Sequence, residues 1–98
     1  AAALHNNYQP ESSTSYTIVM QDIGCLLSMN NAAASTVIIE RESTANWVEN
    51  CKVIIRSGGA GGATIHAATD VILIGVTTLT TNQIVTAYYT GSDTWVIG

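Results

Sequence analysis

The sequence predicts a small all-β domain, an antiparallel β-sandwich or jelly-roll-like barrel of about eight short strands. Three observations lead there. Thr, Val, Ile and Ala dominate a 98-residue chain that has no Phe, and β-branched residues favour sheet over helix. Short apolar runs recur between Gly, Asn and Asp turn residues, at the spacing of sandwiches and barrels. Neither a heptad pattern nor a solenoid repeat is visible.

Ala1–Ser15 is polar, with Asn6-Asn7, Pro10 and a Ser/Thr cluster, and reads as an arm or linker ahead of a domain spanning residues 16–98. Tyr16–Met20 is the first clear strand, with Tyr16, Ile18 and Met20 on one face. Asp22-Ile23-Gly24 turns the chain, and Cys25–Met29 is the expected partner strand. Asn30-Asn31 turns again before the third strand, Ser35–Ile39. Glu40–Asn50 breaks the pattern as a charged loop.

Lys52–Gly75 is the centre of the chain. Val53-Ile54-Ile55 and Val71–Ile74 are β-branched runs whose length suits strands buried on both faces. Thr64–Ala67 is a shorter strand between them. Ser57–Gly62 holds four glycines in six residues, which predicts a tight hairpin turn or bulge. It is not a phosphate loop, because Ala63-Thr64 and a strand follow instead of a lysine, a hydroxyl and a helix. The dinucleotide fingerprint fails on the same missing helix. Val76–Thr81 is weakly patterned. Gln83–Tyr89 alternates, Gly91-Ser92-Asp93 turns, and Thr94–Ile97 closes the domain.

Composition bounds the function. Ninety-eight residues make one domain. Hydrophobic residues are 47% and charged residues only 10%, against about 25% charged in ordinary domains. So apolar a surface suggests self-association or burial in an assembly. Net charge −4 with three basic residues argues against binding nucleic acid or an anionic membrane. No apolar run reaches membrane-spanning length, and the N-terminus is not a signal peptide. The chain begins with Ala, as a fragment or a processed product would.

Candidate chemistry is thin. Asp22, Asp70 and Asp93 lie beside turns, where aspartate bonds its own backbone. His66 precedes Asp70 by four residues, but no nucleophile elbow accompanies them, so His66 reads as a strand residue. Cys25 and Cys51 are two thiols without zinc-ligand spacing. They read as small buried residues or, alternatively, as one bridge. No cofactor or metal is expected, and no enzyme activity. Glu40–Lys52 carries half of the ten charges and includes Trp47. A tryptophan among charges is either a contact residue or a staple holding the loop to the core. Arg41, Asn46, Trp47 and Glu49 are therefore the candidate ligand-binding residues.

From Tyr16 to Gly98 the chain resembles a small β domain at the C-terminal end of tailed-phage tail fibre, tailspike and related virion proteins. The resemblance rests on Tyr16–Met20, Asp22 and Gly24, and Met29-Asn30-Asn31-Ala32, followed by Thr36–Ile39 and the glycine-rich turn. Ala63-Thr64-Ile65, Ala87-Tyr88 and Thr94–Gly98 complete the series. Glu40 stands where the family has a proline, and Asn50-Cys51 where it has a glycine, so the Glu40–Asn50 loop is particular to this chain. The resemblance implies a virion component, usually trimeric, without catalytic residues. The expected function is a non-enzymatic homotrimer at a fibre or spike tip, bound to other virion proteins and to host-surface glycan. Two alternatives are a capsid-decorating or trimerisation cap without a ligand, and the terminal non-catalytic domain of a glycan-cleaving tailspike.

Overall fold

The structure, a computed structural model, describes residues 8–48 and 50–98. Ten strands form among them: β1 (Tyr8–Glu11), β2 (Ser15–Thr17), β3 (Leu26–Met29), β4 (Ser35–Ile39), β5 (Lys52–Ser57), β6 (Ala63–Ala67), β7 (Ile72–Gly75), β8 (Thr78–Leu79), β9 (Ile84–Gly91) and β10 (Thr94–Ile97). A 3-10 turn (Met20–Asp22) and a one-turn helix, α1 (Glu42–Ala45), are the helical pieces. Strand accounts for 50% of the described residues and helix for 8%, so the mostly-β class holds.

Strand direction does not follow the antiparallel expectation. There are two mixed sheets, one ordered β1-β3-β5-β9-β10-β7 and the other β2-β4-β6-β8. Within the first, β1, β3 and β5 lie side by side in parallel. Within the second, β2, β4 and β6 do the same. The chain alternates between the sheets, so β1–β2, β3–β4 and β5–β6 are three successive stacked coils. Each coil satisfies its backbone groups on the one before, which is how solenoids are built. Antiparallel pairing appears where the stack ends, with β9 against β5, β10 against β9 and β8 against β6.

Three expectations change with this topology. Cys25–Met29 does not pair with Tyr16–Met20, because β2 and β3 belong to different sheets. The glycine-rich turn is not a hairpin; it carries the chain from β5 in one sheet to β6 in the other. Its glycines answer to stacking. The amides of Gly58 and Gly59 both donate to the Met29 carbonyl, at 2.8 and 3.0 Å. A Cβ on Gly59 would overlap the Asn31 backbone, and one on Gly61 the backbone of Ala33 and Ala34. Finally, part of the expected arm is in the sheet: Tyr8–Glu11 pairs in parallel with Leu26–Met29. Asn30 N–H donates to the Glu11 carbonyl. By alternation the Pro10 nitrogen faces the open edge, where its missing N–H costs nothing. Ala1–Asn7 lies outside the described residues.

One core fills the space between the sheets. Leu27, Met29, Val53, Ile55, Val85, Ala87, Tyr89, Trp95 and Ile97 point inward from the six-stranded sheet. Val37, Ile39, Ala63, Ile65 and Leu79 meet them from the four-stranded one. The molecule is 19 Å across its thinnest direction, as fits two sheets about 10 Å apart with a layer of side chains outside each. In β9, Val85, Ala87 and Tyr89 are buried and Ile84, Thr86, Tyr88 and Thr90 are half-buried or exposed, as its alternation predicts. Val71–Ile74 is not buried on both faces, since no layer covers the outside of β7. Ile72 and Ile74 are 55% and 51% exposed.

Candidate functional site

The charged loop folds around its tryptophan. The amides of Thr44 and Ala45 donate to the Arg41 carbonyl, and Asn46 closes the turn by donating to Glu42. Asn46 ends α1 at φ 61, a left-handed conformation that Asn tolerates at a helix end. Asp93, in the β9–β10 turn, accepts the Glu42 amide at 2.6 Å and ties the loop to the far end of the chain. Trp47 then turns inward. It is 4% exposed, its indole N–H donates to the Glu40 carbonyl at 2.9 Å, and its ring meets Trp95 edge-on at 5.1 Å. Of the two sequence readings the staple is the one seen, and the Trp47 ring is not presented to a ligand.

The other candidates do not converge on it. Arg41 pairs with Asp70 at 3.5 Å, both side chains exposed, an arrangement that contributes little in water. Asn46 lines an open groove of about 570 Å³ between Thr17–Gln21 and Glu40–Asn46. Thr17, Gln21, Glu40 and Thr44 supply its other polar groups, and Val19 and Met20 its apolar floor. Glu49 lies outside the described residues.

In the 3-10 turn whose Met20 and Gln21 line that groove, Asp22 is wholly buried. Its carboxylate accepts the Tyr16 hydroxyl at 2.8 and 3.0 Å and the Val19 amide at 3.0 Å. Burial first, and then the bond to Asp22, push the Tyr16 phenol well above its ordinary value. Asp22 thus fastens the 3-10 turn, as its place beside a turn suggested. Cys25 and Cys51 are not bridged to each other, and Cys25 Sγ donates to the Gln21 carbonyl at 3.8 Å. Burial raises both thiols, and the neighbouring Asp22 raises Cys25 further. His66 stands exposed in β6, opposite Ile38. No group of three His, Cys, Asp or Glu suited to a metal ion occurs among the described residues.

The outer face of the six-stranded sheet divides in two. Over β9, β10 and β7, register places Tyr88, Val96 and Ile74 in one row across adjacent strands. Each is exposed, as are Ile72 and Ile84. Over β1, β3 and β5 the face carries Tyr8, Ser28 and Arg56, with Pro10, Ser28, Arg56 and Ile84 in register. Neither half was singled out from sequence. The available signal for the first was the low charge content, which left too few polar residues to cover a small domain. For the second it was Arg56, a cation directly after the apolar run Val53-Ile54-Ile55.

No protein-family model, curated protein or solved structure matches the chain.

Proposed function

We propose that this chain is a non-enzymatic structural module of a phage virion, placed at the tip of a tail fibre or spike, that associates as a homotrimer and attaches to host-surface glycan. The observation that supports it is the exposed apolar row Tyr88–Val96–Ile74, flanked by Ile72. An apolar row on a sheet face, beside the open edge strand β7, is a surface that asks for cover. Copies of the chain related by an axis provide it, at about 25 cal/mol for each Å² removed from water. The test is solution mass by light scattering after size exclusion. A mass near three times 10.3 kDa, reduced to one chain by Ile74→Lys, is the expected result. A chain that stays single at high concentration overturns the trimer.

A second reading, a trimerisation cap with no ligand, is favoured by the burial of Trp47, which removes the most adhesive-looking side chain from the surface. It shares the mass result and parts from the first in one respect: the trimer would bind no bacterial surface polysaccharide.

A further inference from the structure

We infer that Tyr8, Asn30 and Arg56 form a subsite for the carboxylate and adjoining hydroxyls of an acidic sugar, an inference that rests on the glycan-attachment reading. The starting point is the guanidinium. Arg56 is half-buried on the outer face of β5. Its Nη1 donates to Ser28 Oγ at 3.3 Å and its Nη2 to Asn82 Oδ1 at 2.9 Å. Neither partner carries a charge. A guanidinium has five N–H donors, so three remain for an anion, and its planar fork suits a carboxylate.

The surroundings hold that group in place and add donors of the same polarity. Ser28 is wholly buried and donates to Asn30 Oδ1 at 2.7 Å, which fixes the Asn30 amide with its nitrogen outward. Asn30 Nδ2 reaches the Tyr8 hydroxyl at 3.4 Å, leaving the phenol proton free to donate. Gly58 underlies the cluster: a Cβ there would press on Asn30 Oδ1, Ser28 Oγ and Arg56 Nη1. The cluster also favours negative charge on an oxygen. The donors of Asn30 first and then Ser28, and after them the Arg56 charge, hold the Tyr8 phenol below its ordinary value.

The spacing selects the ligand class. Tyr8, Asn30 and Arg56 come one from each coil, at different register positions: Tyr8 is level with Leu26 and Ile54, Arg56 with Ser28 and Pro10, and Asn30 follows Met29. Neighbouring strands lie about 4.8 Å apart, so donors drawn from three of them make a site suited to a ligand with several oxygens beyond a single anionic group. A sugar acid fits it, with its carboxylate on Arg56, hydroxyls at Asn30 and Tyr8, and its ring against the half-exposed Tyr8 ring.

The test titrates the full chain with galacturonic acid trisaccharide, followed by 1H–15N NMR including arginine Nε–H signals. Shifts at Tyr8, Asn30 and Arg56 are expected, with the methyl-esterified trisaccharide at least tenfold weaker. Arg56→Gln should weaken binding at least tenfold, and Tyr8→Phe, a surface change that leaves the fold intact, several-fold. Equal binding of the ester, shifts confined to other residues, or inorganic phosphate matching the trisaccharide would each overturn the subsite. An array of bacterial surface polysaccharides separates this from the attachment reading. Retention on neutral polysaccharides, unchanged in Arg56→Gln, keeps attachment and removes the subsite. Trisaccharide binding at Arg56 with no retention on the array keeps the subsite and removes attachment.

Discussion

Trp47 shows how much one side chain can decide in a chain of this size. Truncating a buried tryptophan costs about 3–5 kcal/mol, a large share of the roughly 5–15 kcal/mol that holds a small domain together. Trp47→Ala is therefore expected to lower the urea midpoint sharply, whereas Trp47→Phe should lose about 1 kcal/mol for the bond to Glu40. Similar midpoints for the wild type and the alanine variant would show that the ring is not a staple. Tyr16 makes a prediction about pH. Its folded-state phenol lies above the ordinary value of 10.0, so its contribution is complete below about pH 10 and is lost as pH rises toward the folded value. The raised thiols of Cys25 and Cys51 act with the same sign from about their ordinary 9.0 upward. The urea midpoint should fall on going from pH 9 to 11, and fall less in Tyr16→Phe. An equal fall in both would remove Tyr16 from the account. Both roles were partly legible: Asp22 beside a turn suggested a backbone bond, and Trp47 carried its staple reading. Their partners were not, because Trp95 lies 48 residues beyond Trp47 in the chain and nothing local announces it.

At the scale of elements, the positions of most strands were legible and their directions were not. β-branched runs between turn residues mark a strand whichever neighbour it takes. Direction depends on which run returns to which edge, and the coils hide this by changing length. Tyr8 and Leu26 are 18 residues apart, Leu26 and Ile54 are 28, and Ser15 and Thr36 are 21. The charged loop around Trp47 lengthens one coil, so no fixed period reaches the sequence. Glycine was legible as a turn residue, but for a reason that was only half right. Gly59 is demanded by the backbone of Asn31 in the coil next to it. Overpacking costs about 1–3 kcal/mol, occasionally more, and rigid backbone cannot yield as a side chain does. Gly59→Ala should therefore sit at the upper end of that range. Gly24→Ala meets open space at φ +82 and should cost about 1–2 kcal/mol, from the left-handed backbone alone. Equal losses in the two variants, compared by urea denaturation, would refute the stacking account.

For the whole molecule, the low charge content acquires a place. Ten charges on 98 residues leave much of the outer surface apolar, and β7, β9 and β10 are where it gathers. If copies cover that row, folding and association are linked, and the thermal midpoint should rise with protein concentration; Ile74→Lys should make it independent of concentration. On that reading the two halves of the six-stranded sheet serve different ends, the β9-β10-β7 half meeting copies and the β1-β3-β5 half displaying polar groups. That division also bears on fibre growth. Parallel coils are a template, and an open coil end can recruit the next chain without limit, as in amyloid. The open edges at that end are β7 in the first sheet and β8 in the second. β7 runs with β5, since β9 and then β10 each reverse direction and β7 pairs in parallel with β10, whereas β8 runs against β6. An incoming coil that matched the stack could continue in parallel on β7 but not on β8, so coil addition that extends both sheets in parallel is blocked at that end.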